Sequence, residues 1–154
     1  MITGSVKPSR RDAVRLAALA FAAGAIAPSL ALADEKAVAA EIKKLYGDKP
    51  MGQGKIKLDV PEIAENGLVV PVNVEIDSPM TETDYVKAVH LFADGNPQPG
   101  IVTYRFTPAC GKAAAATRMR LAQTQDIVCV AEMSDGSLYS TKANVKVTIG
   151  GCGG

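Results

Sequence analysis

The chain has no tryptophan and a single histidine, and its aromatic content is 5%. The missing tryptophan excludes a core of the antibody type, which packs on one. One histidine, His90, and the lack of any Cys-x-x-Cys pair leave no set of ligands at metal-binding spacing, so neither a metal nor a cofactor is expected. His90 lies opposite Val89 and Leu91 in an apolar run and reads as an exposed or packed strand residue rather than a ligand. An excess of charge of one sign is also missing. Four of the 17 basic residues and one of the 16 acids fall before residue 34, leaving 13 against 15, a net charge of −2. Without a basic patch, nucleic acid and anionic membrane are not expected partners.

The first 33 residues read as an export leader. Ser9-Arg10-Arg11 carries a twin-arginine pair, Ala17 to Leu32 runs without a charge, and Ala31-Leu32-Ala33 is a small-residue cleavage site. The uncharged run is too short to span a bilayer as a helix. Cleavage would leave Asp34 to Gly154 in the periplasm, 121 residues, enough for one domain with its own core and no membrane anchor.

After the leader, Val38, Ile42 and Leu45 form a helical stripe within Lys36 to Tyr46, ended by Gly47 and followed by Pro50. The pattern then changes to period two. Strands are expected at Ile56–Val60, Leu68–Asp77, Tyr85–Ala93, Ile101–Phe106, Ala116–Ala122, Ile127–Met133 and Leu138–Ile149. Pro71 cannot donate to a ladder, which puts it at a strand start or a sheet edge. Asp94 to Gly100 is a turn by composition, and Ser134-Asp135-Gly136-Ser137 a hairpin. Seven short strands in one small domain indicate an antiparallel β-sandwich of immunoglobulin type, residues 34–149, with a short N-terminal helix.

The last expected strand runs into Gly150-Gly151-Cys152-Gly153-Gly154. Glycine packs nothing and loses the most entropy on ordering, so this segment reads as a flexible arm that carries a thiol. No Lys, Arg or His lies within five residues of Cys152. Its pKa is therefore expected near the ordinary value of about 8.5, with no activating base at hand. A thiol enzyme acting alone would need such a base, and a covalent substrate carrier would not. Cys110 and Cys129 are the other two thiols. In an oxidising compartment they are the natural pair, and a bridge would close a loop of about 20 residues, leaving Cys152 free. Alternatively, Cys129 is a core residue and Cys110 a loop thiol.

Val147-Thr148-Ile149-Gly150-Gly151-Cys152-Gly153-Gly154, together with the twin-arginine leader, resembles the SoxY family of thiosulfate-oxidation carrier proteins. Supporting segments are Val72 to Thr81, His90-Leu91-Phe92-Ala93-Asp94, Arg118 to Ala122 and Ala131 to Gly136. Cys110 and Cys129 lie outside the motif. The resemblance implies that Cys152 holds the substrate, with Gly150, Gly151, Gly153 and Gly154 as a swinging arm, and that the chain has no turnover of its own. It also implies partners: a SoxZ-like β-sandwich subunit forming a heterodimer, a haem c cytochrome, a sulfate-releasing hydrolase and, in some systems, a sulfur dehydrogenase. The cytochrome would couple thiosulfate to the cysteine oxidatively. The hydrolase would then release the terminal sulfone group as sulfate.

Two other readings compete. A carrier that holds sulfur on the Gly154 carboxylate belongs in the cytoplasm on a ubiquitin-like fold, against both the leader and the strand pattern. A periplasmic binding module with an incidental terminal cysteine would show no effect of Cys152→Ser on metabolism. The leader is testable by itself. Replacing Arg10 and Arg11 with Lys should retain the protein in the cytoplasm on cell fractionation, and unchanged export would remove the twin-arginine route.

Overall fold

A computed structural model describes residues 34–151. Its first element is helix α1, Glu35–Tyr46. The Asp34 side chain accepts the Ala37 N–H at 2.8 Å as an N-cap, and Gly47, at φ 69°, closes the other end. Nine strands follow: β1 (Met51–Gly52), β2 (Ile56–Asp59), β3 (Ile63–Asn66), β4 (Val70–Ile76), β5 (Val86–Ala93), β6 (Gly100–Arg105), β7 (Ala113–Met119), β8 (Gln125–Met133) and β9 (Leu138–Ile149). A 3₁₀ turn at Pro108–Cys110 separates β6 from β7.

The strands form two sheets, one ordered β1-β9-β8-β5-β6 with β3 also on β9, the other β2-β4-β7. A common core lies between them. Val70, Val72, Val74 and Ile76 of β4 meet Val89, Leu91 and Ala93 of β5 and Ile127, Cys129, Ala131 and Met133 of β8. Pro71 sits next to the start of β4, before the stretch Asn73–Ile76 that pairs with β2, so its missing N–H breaks no bond on that side.

The expected helix and all seven expected strands are present, with β7 displaced by three residues to Ala113–Met119. Four consecutive alanines there carry no apolar alternation to mark a boundary. Two strands were not expected. β1 has two residues, and β3 buries only Ala64, so neither shows period two in sequence. Both run parallel to β9, and the sheets are therefore not purely antiparallel.

β5 is buried on both faces, and β8 on its outer face at Val130, because α1 covers that side. Val38 packs there with Phe92 and Val130, flanked by Ile42 and Tyr46. A register shift between Val86 and Ala88 lets Val86 face the core although it is in phase with the outward residues. His90 lies under the helix, 7% exposed. The Tyr46 hydroxyl donates to Glu132 Oε2 at 3.2 Å and is 2.7 Å from His90 Nε2. With its proton committed to the carboxylate, that hydroxyl accepts from Nε2–H, and His90 Nδ1 then accepts from the Thr103 hydroxyl at 2.9 Å. Burial, reinforced by Glu132, pushes the Tyr46 phenol up to about 12.

Burial first, and Arg105 second, hold His90 below its ordinary pKa, while Glu132 opposes them. The unfolded chain therefore binds the proton more readily than the folded one. The stability contributed by neutral His90 is complete above the unfolded value of about 6.5 and is lost as pH falls from there through the lower folded value. His90 is the only histidine, and the shifted carboxylates of Asp126 and Glu132 titrate at more acid pH. The melting temperature should fall between pH 7 and pH 5 in the parent, by calorimetry, and stay flat over that interval in His90→Gln.

Candidate functional site

The candidate site is the end of β9, where the chain leads to Cys152. Parallel pairing with β3 places Ala64 beside Val147 and Asn66 beside Ile149. The Thr148 hydroxyl donates to the Glu65 carbonyl at 2.8 Å, and the Thr124 hydroxyl accepts the Val147 N–H at 3.0 Å. Beyond Ile149 three chain segments meet through their backbones. The Gly67 N–H donates to the Ile149 carbonyl at 2.7 Å. The Leu121 N–H donates to the Gly67 carbonyl, and the Gly151 N–H to the Leu121 carbonyl, each at 2.8 Å.

This approach leaves no space for a side chain on any of the three glycines. A Cβ at Gly67 would press into the Leu121 carbonyl oxygen and stand 2.8 Å from the Gly151 nitrogen. At Gly150 it would run into the Ala122 carbonyl oxygen. At Gly151 it would run into the Gly67 carbonyl and stand 2.6 Å from the Leu68 nitrogen. None of the three has a positive φ, so glycine is required here for space and not for a left-handed backbone.

The Leu121–Ala122 side of this cradle is itself held. The Leu121 side chain is fully buried in the core. Buried Asn96 donates from Nδ2 to the Arg120 carbonyl at 2.8 Å and accepts the Ala122 N–H on Oδ1 at 2.9 Å. Gln125 Nε2 donates to the same Oδ1 at 3.0 Å, while Gln125 Oε1 accepts the Gly95 N–H at 2.7 Å. The expected turn after β5 thus braces the segment on which the chain end rests. On the opposite side, Asn66 Oδ1 accepts the Leu68 N–H at 2.9 Å and shapes the turn that presents Gly67.

Cys152, Gly153 and Gly154 lie outside the described residues, as do the leader's Arg10 and Arg11. Gly150 and Gly151, expected in the flexible arm, are instead packed against neighbouring backbone, and Gly151 is hydrogen-bonded. Their lack of side chains serves close approach. The expected bridge between Cys110 and Cys129 is not formed, and both are free thiols. Cys129 faces the core from the middle of β8, fully buried, whereas Cys110 is exposed on the 3₁₀ turn after β6. Burial pushes the Cys129 thiol up to about 12, which leaves it inert as a nucleophile. Among the described residues no cluster of His, Cys, Asp and Glu is arranged to hold a metal ion.

Gly67 was not singled out from the sequence, and Leu121, Ala122 and Asn96 entered it only as parts of a resemblance segment and a turn, with no role at the site. Asn66-Gly67 is a turn dipeptide, the one local signal that the chain bends there. Around the root the surface is apolar. Leu68, Val69 and Ile149 are all exposed, Ile149 at 68%, and Ile63 adds a fourth exposed side chain on β3.

The family model described as "Sulfur oxidation protein SoxY" matches residues 42–152. The chain belongs to the SoxY family. Among solved structures it is similar to the sulfur carrier protein SoxY from Chlorobium limicola f thiosulfatophilum, at 31% identity and TM-score 0.62. That alignment covers 74% of this chain and 98% of the other. A superoxide reductase (neelaredoxin) from Ignicoccus hospitalis aligns at 15% identity and TM-score 0.55, covering 61% of this chain and 80% of that one. A putative superoxide reductase from Thermotoga maritima aligns at 16% identity and TM-score 0.53, covering 63% and 93%. These last two show a shared fold only. No curated protein matches the sequence. Membership of the SoxY family supports a carrier role in sulfur oxidation.

The placement of the thiols sets an order of reactivity. In fully reduced protein an aromatic disulfide reagent should titrate Cys110 under native conditions and Cys129 only after denaturation. Denatured Cys152→Ser protein kept unreduced should give two thiols. A count of zero would restore the bridge.

Proposed function

We propose that the chain is a periplasmic covalent carrier in thiosulfate oxidation, with Cys152 as the attachment site. The observation that carries this reading is that the family match extends through residue 152, the cysteine itself. It is supported by the residue before Cys152 in sequence, Gly151, whose N–H is bonded to the Leu121 carbonyl beyond the end of β9. In the proposed cycle the Cys152 thiolate and thiosulfate each supply one electron to a haem c cytochrome as the new S–S bond forms. Water then cleaves the bond between the outer sulfur and the sulfone group in a hydrolase. Sulfate and a proton leave, and a persulfide stays on Cys152. A sulfur dehydrogenase would oxidise that sulfur further. Turnover by the carrier alone is not expected, because no base or cation lies close in sequence to Cys152.

Export by the twin-arginine route, which takes folded proteins, fits a carrier that crosses the membrane together with a SoxZ-like subunit. The immunoglobulin-like label for the two facing sheets is part of the same reading, supported by their shared core and the antiparallel pairing of β4 with β7 and of β5 with β6 and β8. Mass spectrometry tests attachment. Protein isolated without reductant from thiosulfate-oxidising cells should carry a reducible adduct of thiosulfate or sulfane mass on its C-terminal tryptic peptide. An unmodified Cys152 during active oxidation would overturn the proposal.

A further inference from the structure

The carrier cysteine follows directly after Gly151, whose N–H is bonded to the Leu121 carbonyl at 2.8 Å. A trans peptide fixes the next Cα at about 3.8 Å, so wherever Gly151 is held, the thiol is confined to a small volume around it. Gly151 is also packed against Gly67, 84 residues earlier in the chain. Gly67 bonds to Ile149 on one side and Leu121 on the other, and its carbonyl lies where any side chain on Gly151 would have to go. We infer that Gly67 is a positioning residue for the Cys152 thiol: its bare backbone seats the Gly150-Gly151 root against Leu121 and Ala122, so that the chain enters Cys152 from a fixed point.

The inference rests on the carrier reading for its relevance, but its geometry does not. Gly67 lies between β3 and β4 and has no positive φ, so glycine is required there by the close approach of the Leu121 carbonyl and the Gly151 nitrogen. A seated root also accounts for two features that a fully flexible arm leaves idle. One is the Asn96–Gln125 brace behind Leu121 and Ala122. The other is glycine at position 150, which a free tether would not need but which the Ala122 carbonyl oxygen demands.

The test uses the exported chain in a Cys110→Ser background, so that a nitroxide reagent labels Cys152 and leaves buried Cys129 unmodified. The parent should give a spectrum with a restricted component. Gly151→Ala and Gly67→Ala should each narrow the lines, and the double variant should narrow them no further than either single one, because both changes break the same contact. Gly151 follows the last strand, so its substitution should leave the melting temperature unchanged and carries the test alone if Gly67→Ala does not fold. A parent label already at full mobility, no narrowing in Gly151→Ala, or additive narrowing in the double variant would overturn the inference. Failure of the carrier reading shows separately, as the absence of a sulfur adduct on Cys152.

Discussion

The structure depends on the pairing of β8 with β9. Eight residues on each side are in continuous antiparallel register, from Gln125 opposite Val145 to Glu132 opposite Leu138. β8 puts Ile127, Cys129, Ala131 and Met133 into the core and Val130 under the helix. β9 offers its other edge to β1 and β3. The strand that organises the larger sheet is therefore the one that ends at the carrier segment. Its terminal residues inherit their placement from the most extensively bonded part of the molecule.

The second constraint is burial on both sides of the larger sheet. The helix would be marginal alone at twelve residues. It is tied down by Val38 on Phe92 and Val130, and by Tyr46 reaching His90 and Glu132. Lys87 also bonds to Glu132 at 2.7 Å, and that hydrogen bond is the main reason the carboxyl titrates below its ordinary range beside a half-buried phenol. This polar cluster lies on the outer face, away from the inter-sheet core, so the chain can place a titratable group under its helix without putting charge between the sheets.

Much of this was legible in the sequence because the β4, β8 and β9 segments alternate or run apolar for long enough to show their period. The helix was legible from its stripe and its glycine stop. What stayed hidden was non-local. β1 and β3 exist because β9 offers an edge, and nothing in Met51-Gly52 or Ile63 to Asn66 encodes that. Gly150 and Gly151 look the same in sequence whether they swing or are wedged, since a residue without a side chain shows no pattern. Only the positions of Gly67 and the Leu121 carbonyl distinguish the two. Likewise Cys129 and Cys110 suggest a bridge by their number, and only the inward phase of β8 shows that the first is enclosed in the core.

The register between β3 and β9 also acts as a ruler. Asn66 stands opposite Ile149, so the neighbouring Gly67 determines which residue of the other strand must be small two places later. Deleting one residue between Ile149 and Cys152 would bring the cysteine to the position that Gly67 keeps small, whereas an inserted glycine would leave the wedge filled and carry the cysteine one residue beyond it. The spacing of the terminal motif is thus a matter of alignment between two distant stretches of chain.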